Sequence, residues 1–388
     1  MTREAAPVDR YGLPAVLFLT GGERFAGIEA HLDNLLPAMV KEGASVQLAS
    51  FSDGPLVRRM AARGIPCHLV RRHWKYDPGA VTRLARILRS GGFGMIHTHG
   101  YLADVAGLTA AGRVAGVGGV ATVHGRPEPF SGISALKMRG NLLLDKWVVK
   151  NRANAVVAVS HGMVEWVTSS WGIARERVRI IHNGVREIAP DPVTRTRIRR
   201  ELEIPPEAPV IGFVCRLERV KRPLLFAEIA SRVLERRPDA VFLVLGKGPL
   251  LEKTRAAAAG AGGRIRFLGF REDVDQVLLG MDAIVNTSES EGIPLSLLEA
   301  MSCGVVPVAF AVGGLPEVIE NGRNGVLVPL DDVDRFAEAL FGLLEDGERR
   351  ERYARAASET IRISFTARAM ARATLDLYRE IASGRSPR

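Results

Sequence analysis

Residues 16–40 read Val-Leu-Phe-Leu-Thr-Gly-Gly-Glu-Arg-Phe-Ala-Gly-Ile-Glu-Ala-His-Leu-Asp-Asn-Leu-Leu-Pro-Ala-Met-Val. Val16–Leu19 is an unbroken apolar run of strand length, and Gly21 and Gly22 punctuate it. Ile28, Leu32, Leu35, Leu36, Met39 and Val40 then recur at helical spacing until Gly43 closes the pattern. A strand, a glycine turn and an amphipathic helix in that order form the repeating unit of a parallel sheet covered by helices. The unit returns with strands predicted at Val46–Ala49, Met95–His97, Gly119–Val123, Ala155–Val159 and Val178–Ile181, and this first series ends near Asn183-Gly184. Between Ala189 and Pro209 five prolines flank the basic run Arg195–Arg200, which reads as a linker around a short helix. The rhythm restarts at Val210–Val214 and continues through Val241–Leu245, Ile265–Leu268, Ala283–Asn286, Val305–Ala309 and Gly325–Val328. The expected fold class is therefore α/β, with two doubly wound Rossmann-like lobes over residues 1–187 and 188–364. A last helical stretch within 365–388 is expected to complete the first lobe. In open sheets of this kind ligands sit beyond the carboxyl ends of the strands, so the expected site is a cleft on which the two lobes face each other.

The composition fits. A length of 388 residues suits two domains, and 47% hydrophobic with 25% charged residues excludes a disordered or fibrous chain. The longest apolar stretch, Cys303–Val312, contains Pro307 and is too short to span a bilayer. Arg3 and Arg10 ahead of Leu13–Leu19 imitate a secretory leader, but Glu4, Asp9 and the lack of a small-residue cleavage site favour a first strand and a cytoplasmic protein. Cys67, Cys215 and Cys303 are too far apart for a disulfide framework or a metal motif. The net charge of +10 is lopsided: residues 1–188 hold 24 Lys and Arg against 14 Asp and Glu, whereas the remainder is balanced. Arg58–Arg89 alone carries nine basic side chains and one acid, Asp77. Such a face attracts phosphates or an anionic membrane surface, unless it is merely solvated.

Several residues at predicted strand ends carry chemistry. Gly21, Gly22 and Gly27 precede a helix start, where backbone N–H groups can approach a phosphate. His97, His99, His124, His161 and His182 gather at strand ends, and His124, before Gly125, is the best placed to bond a substrate hydroxyl or phosphate. No His-Glu-x-x-His or similar motif occurs, so no metal is expected. In the second half Arg216 leaves a strand and Lys221 lies at a predicted helix start, two cations spaced to grip one diphosphate. Gly246-Lys247-Gly248-Pro249 resembles half a dinucleotide fingerprint, but Leu251 replaces the third glycine and no acid closes the next strand, which argues against a nicotinamide cofactor. In Ser288-Glu289-Ser290-Glu291-Gly292-Ile293-Pro294-Leu295-Ser296-Leu297-Leu298-Glu299, Pro294 fits the first turn of a helix. Glu291 then belongs to the loop and faces a bound sugar. Glu299 lies one turn into the helix, among core residues, where it can accept bonds from ribose hydroxyls. The N–H groups near Leu295 and Ser296 point at an anion.

Taken in order, these residues resemble the family-4 retaining glycosyltransferases of GT-B fold, nearly end to end. The resemblance rests on Gly27-Ile28-Glu29, Thr122-Val123-His124-Gly125, Ser160, Asn183-Gly184-Val185, Arg216 with Lys221, Gly246-Lys247-Gly248-Pro249, Phe267-Leu268-Gly269, Glu291 with Glu299, and Gly313-Gly314-Leu315-Pro316-Glu317 before Asn324-Gly325. It implies that Arg216 and Lys221 hold the donor diphosphate, Glu299 the ribose and Glu291 the donor sugar, with Phe270 against the base and Leu295 at the anion-facing helix start. Gly27 and His124 would come from the acceptor lobe, with His124 and Glu291 nearest the chemistry. It further implies transfer with retention and without a metal or other cofactor, from a nucleotide sugar, with UDP-sugars first and GDP-mannose behind. The basic first lobe suggests a glycan, lipid-linked or otherwise anionic acceptor at the inner membrane face, with Lys137–Arg152 and its Trp147 contributing to membrane contact. Two positions depart from the pattern: Ala26 and Cys215 stand where the family usually has glycine. The competing readings are a nucleotide-sugar epimerase of the same architecture, a glycoside hydrolase using Glu291 and Glu299, and a basic membrane- or nucleic-acid-binding module. The hydrolase leaves Arg216 and Lys221 without a task, the epimerase would turn over donor with no acceptor, and the module would survive Glu299→Ala.

Overall fold

A computed structural model of the chain describes residues 12–23, 25–126 and 132–384, without the side chains of 132–137. The residues read as a mock leader, Arg3 to Arg10, and the side chain of Lys137 lie outside the described residues. The contacts divide the chain into two units: Met1–Gly184 with Ala367–Arg388, and Val185–Thr366.

The first unit is built on seven parallel strands, β1 (Val16–Thr20), β2 (Val46–Ser50), β3 (Cys67–Leu69), β4 (Met95–His99), β5 (Gly118–Val123), β6 (Ala155–Ala158) and β7 (Val178–Ile180), in the order β3-β2-β1-β4-β5-β6-β7. The order reverses between β1 and β4. That is a topological switch point, where the chain leaves a crevice above the carboxyl ends of two neighbouring strands. β1 is buried along its whole length, because helices cover both faces of a parallel sheet. The helix Gly27–Lys41 puts Leu32, Leu35, Leu36 and Met39 against Phe18 and Leu48, and the helix Ala367–Ala382 closes the same core with Met370, Leu375 and Tyr378. The attachment is also ionic: Arg368 and Arg372 reach Glu42 at 2.7 and 2.9 Å. These two bonds hold the Glu42 carboxyl below its ordinary range. β3 escapes the sequence reading. It is a three-residue edge strand whose Cys-His-Leu offers no apolar run.

The second unit has six parallel strands, β8 (Val210–Val214), β9 (Val241–Leu245), β10 (Ile265–Gly269), β11 (Ala283–Asn286), β12 (Val306–Phe310) and β13 (Val326–Val328), ordered β10-β9-β8-β11-β12-β13. Here the switch point lies between β8 and β11. Phe213 stacks on Phe226 with ring centroids 4.2 Å apart. The run Arg195–Arg200, read as linker composition around a short helix within residues 188–364, is part of this unit. It lies in the helix Pro192–Glu201, and Arg199 is buried with its guanidinium on Asp282 at 2.8 Å and on the carbonyls of Gly280, Pro206 and Ala208. A buried guanidinium with its donors satisfied acts as a structural bolt.

Candidate active site

At the second switch point the segments that leave β8 and β11 are laced together. Val214 runs into Cys215 and Arg216, a 3-10 turn follows over Arg219–Lys221, Arg222 turns the corner at φ 51°, and Pro223 opens the helix Pro223–Arg236. Lys221 thus precedes the helix rather than starting it. The Thr287 hydroxyl donates to the Lys221 carbonyl at 2.8 Å, and the Glu289 N–H donates to the Val220 carbonyl at 2.9 Å. The Lys221 ammonium donates to Glu291 Oε1 at 2.6 Å. That same oxygen accepts from Ser288 Oγ at 2.6 Å and from Asn286 Nδ2 at 3.0 Å. Burial works against the charge on Lys221, but the Glu291 carboxylate outweighs it and holds the ammonium above the usual lysine value. The result is a fixed cation at a strand end.

Glycines make this lacing possible. A Cβ on Gly246, at φ 127°, would lie 1.9 Å from the Cys215 carbonyl oxygen, and one on Gly248 would lie 2.4 Å from that of Leu217. The Gly246-Lys247-Gly248 turn therefore serves to seat the Arg216 segment, which accounts for its glycines through backbone packing alone. On the other side a Cβ on Gly313, at φ 55°, would lie 1.9 Å from the Glu291 carbonyl oxygen. Burial pushes the Cys215 thiol up to about 12, so this departure from the family pattern introduces no reactive group.

Arg216 points into solvent at 56% side-chain exposure and pairs with Glu218. Each of the two cations therefore already has a carboxylate partner, where the sequence suggested a pair poised only for diphosphate. Pro294 is the N-cap of the helix Leu295–Ser302, one position before the first turn in which it was expected. Leu295 is buried, Ser296 Oγ donates to the Val214 carbonyl at 2.9 Å, and Glu299 is half-buried one turn further on beside the buried Leu298 and Met301. This helix start is thereby tied to the end of β8. Phe270, directly after β10, is 51% exposed.

The first unit carries Gly27 and His124. Gly22 sits at φ 74° with Ser50 Oγ 2.0 Å from where its Cβ would be, whereas a Cβ on Gly27 would meet nothing within 4 Å. Gly22 is thus required by the fold and Gly27 is not. Ala26 is extended, at φ −137°, so no glycine is needed there; its N–H donates to Glu29 Oε2 at 3.2 Å. Glu29 spends its carboxylate on its own helix start, and burial raises its pKa. His124 Nε2 lies 2.9 Å from His99 Nδ1, and the His31 ring packs edge-on to His124 at 4.7 Å. His97 is a core residue held by Tyr378 and Thr122 at 2.6 and 2.7 Å. Burial pushes the His31 imidazole down to about 4 and keeps those of His99 and His124 well below the usual range, so all three are neutral at pH 7. Asn286 and Ser288, which orient Glu291, and His31, which fixes one face of the histidine group, had no distinguishing signal beyond being polar near apolar runs. Of the nine basic residues between Arg58 and Arg89, five pair with acids: Arg58 with Asp53, Arg59 and Arg63 with Asp33, Arg72 with Glu23, and Arg83 with Asp77. The charge run is partly internal structure.

The chain thus consists of two doubly wound parallel sheets, the architecture of the GT-B glycosyltransferases, with a partly buried lysine, an exposed arginine and a helix N-terminus gathered at the switch point of the second. Residues 194–360 match the family described as glycosyl transferases group 1, and residues 25–187 match glycosyltransferase family 4. The chain is 30% identical to the D-inositol 3-phosphate glycosyltransferase of Kribbella flavida over 89% of its own length and 83% of the relative's. It is 28% identical to the UDP-Gal:alpha-D-GlcNAc-diphosphoundecaprenol alpha-1,3-galactosyltransferase of Escherichia coli, over 70% of this chain and 71% of that one. In fold it is similar to Anabaena HepE, solved with UDP-glucose, at a TM-score of 0.80 and 21% identity over 95% and 99% of the two chains. The chain belongs to the family-4, group-1 glycosyltransferases. It is an enzyme that transfers a sugar from a nucleotide-sugar donor, and the epimerase reading finds no support in these matches. Among the described residues no helix is long and apolar enough to cross a membrane.

Proposed function

We propose that the chain is a retaining glycosyltransferase that moves a sugar from a UDP-sugar to a hydroxyl of an anionic or lipid-linked acceptor. The observation that carries this reading is the convergence of Lys221, Asn286 and Ser288 on one oxygen of Glu291, with Arg216 on the segment that leads into Lys221. Lys221 and Arg216 receive the diphosphate, Arg216 by exchanging Glu218 for phosphate. The helix start at Leu295 adds its partial positive charge, Glu299 accepts from the ribose hydroxyls, and Phe270 lies against the base. Glu291 Oε2 meets a hydroxyl of the donor sugar while Oε1 stays with Lys221. As the bond from the anomeric carbon to the diphosphate breaks, the acceptor oxygen bonds to that carbon on the same face, and its proton passes to the departing phosphate. Preorganised charge at the leaving group lowers the barrier, with no metal needed at the diphosphate. Gly27 leaves room on the acceptor side, and His124 bonds a substrate hydroxyl there.

The support for this acceptor class lies in the first unit. The Tyr76 hydroxyl donates to Asn141 Oδ1 at 2.6 Å, which joins the basic segment to the helix Gly132–Arg152. Trp74 on the former and Leu143 and Trp147 on the latter are more than half exposed, an amphipathic surface suited to an anionic inner leaflet. The test is a panel of nucleotide sugars assayed with soluble sugar phosphates and with lipid-linked acceptors in anionic vesicles, the product anomer being read by NMR. Retained configuration from a UDP-sugar, fastest on vesicles, is expected. Inverted product, or no turnover with any UDP-sugar, contradicts the donor and mechanism. Faster transfer to neutral soluble acceptors contradicts the acceptor class.

A further inference from the structure

His31, His99 and His124 come from three separate segments: the middle of the first helix, the end of β4 and the turn after β5. Each offers one ring nitrogen, and these nitrogens lie within 4.8 Å of one another. His99 is 1% and His31 3% exposed. Two details distinguish this group from histidines packed for bulk. The first is the outer bond of His31: its Nδ1 donates to Asn183 Oδ1 at 2.9 Å, which fixes the tautomer and leaves the Nε2 lone pair for a partner. Metal-ligating histidines are oriented in this way, by a carbonyl or carboxylate on the far nitrogen. The second is the approach of the other two rings: His99 Nδ1 and His124 Nε2 lie 2.9 Å apart, close to the separation of two ligand nitrogens on one ion.

We propose that His31, His99 and His124 form a binding site for one divalent transition ion of the zinc class. Zn–N bonds of about 2.0–2.1 Å in tetrahedral geometry place ligand nitrogens roughly 3.3 Å apart. The His99–His124 pair is already near that spacing, and the third ligand closes in by at most a short side-chain shift. The rings are neutral, the form that coordinates; on binding, the proton now shared between His99 and His124 moves to the far nitrogen of its own ring, so none need leave the histidines. Binding replaces the imidazole–imidazole hydrogen bond with two metal bonds. Three imidazoles leave a fourth position for water or an acceptor oxygen. The site belongs to the first unit and is separate from the cations that serve the diphosphate.

The full, untagged chain is stripped with chelator and dialysed against Zn²⁺ or Co²⁺, with bound metal counted and the Co²⁺ spectrum recorded. One equivalent per chain and the intense visible absorption of four-coordinate Co²⁺ are expected. His31→Gln and His99→Gln each weaken binding by more than roughly 100-fold, and Asn183→Ala, which removes an orienting partner, weakens it roughly 10–100-fold. His68→Gln, on the edge strand β3 and outside the group, leaves binding intact. Absence of stoichiometric metal, the weak spectrum of six-coordinate Co²⁺, or binding that survives both His31→Gln and His99→Gln overturns the proposal. The spectrum of the unaltered chain decides even where a variant does not fold.

Discussion

Lys221 and Glu291 do two jobs that substitution can separate. Glu291 is 7% and Lys221 22% exposed at the side chain, so removing either charge strands the other in a poorly solvated place. Lys221→Ala is expected to lower stability by roughly 1–3 kcal/mol and to weaken donor binding. Glu291→Gln keeps hydrogen-bonding capacity and lowers it less. In the double variant the stability loss is smaller than the sum of the singles, because no unpaired charge remains, while donor affinity stays weak. Denaturant unfolding alongside nucleotide titration checks this, and strictly additive stability losses would contradict the coupling. Both residues were legible in the sequence, since a lysine five residues after a strand-end arginine and a glutamate beside Gly292 are unusual in an otherwise apolar frame. Asn286 and Ser288 were not, because a polar residue at a strand end is common and only the fold reveals that both aim at one carboxylate oxygen.

Elements are positioned by backbone approach and by buried polar pairs, and each makes a prediction. Gly246→Ala places a methyl group 1.9 Å from the Cys215 carbonyl oxygen, so the Arg216 segment must shift. KM for the donor is expected to rise several-fold and thermal stability to fall, whereas Gly27→Ala, whose Cβ meets nothing within 4 Å, leaves stability unchanged. A second pair joins the helices Tyr101–Ala111 and Gly132–Arg152. Asp104 and Asp145 are buried near each other, and Asp145 also lies near Tyr76. Burial raises Asp145 to about 7 and Asp104 well above its ordinary value. The folded chain therefore holds protons that the unfolded chain has released, and this contribution to stability falls as pH rises from about 4 to about 7. Asp104→Asn has no proton to lose at that position, so its unfolding midpoint is expected to decline less over the same range. Parallel decline of both proteins would show that the pair does not titrate as described. No spacing rule links residues 104 and 145, which is why the sequence was silent on them.

The two series of apolar runs were readable because parallel strands buried on both faces leave continuous hydrophobic stretches, and twelve of the thirteen strands among the described residues were located that way. The exception, β3, lies at an edge and carries little apolar signal. The helix Ala367–Ala382 announced itself by periodicity, but its place beside the helix Gly27–Lys41 depends on Glu42 meeting Arg368 and Arg372, a relation across the whole chain. The excess charge of the first unit was visible as a count, while its partial neutralisation by Asp33, Asp77 and Glu23 was not. The proposed function rests on the second unit receiving a nucleoside diphosphate at the end of β8. Calorimetric titration of the full chain with UDP and UDP-glucose tests this directly. Saturable binding that Arg216→Ala and Lys221→Ala each weaken at least roughly tenfold, about 1.4 kcal/mol, is the predicted result; binding of undiminished affinity in both variants, or none by any nucleoside diphosphate, would contradict it.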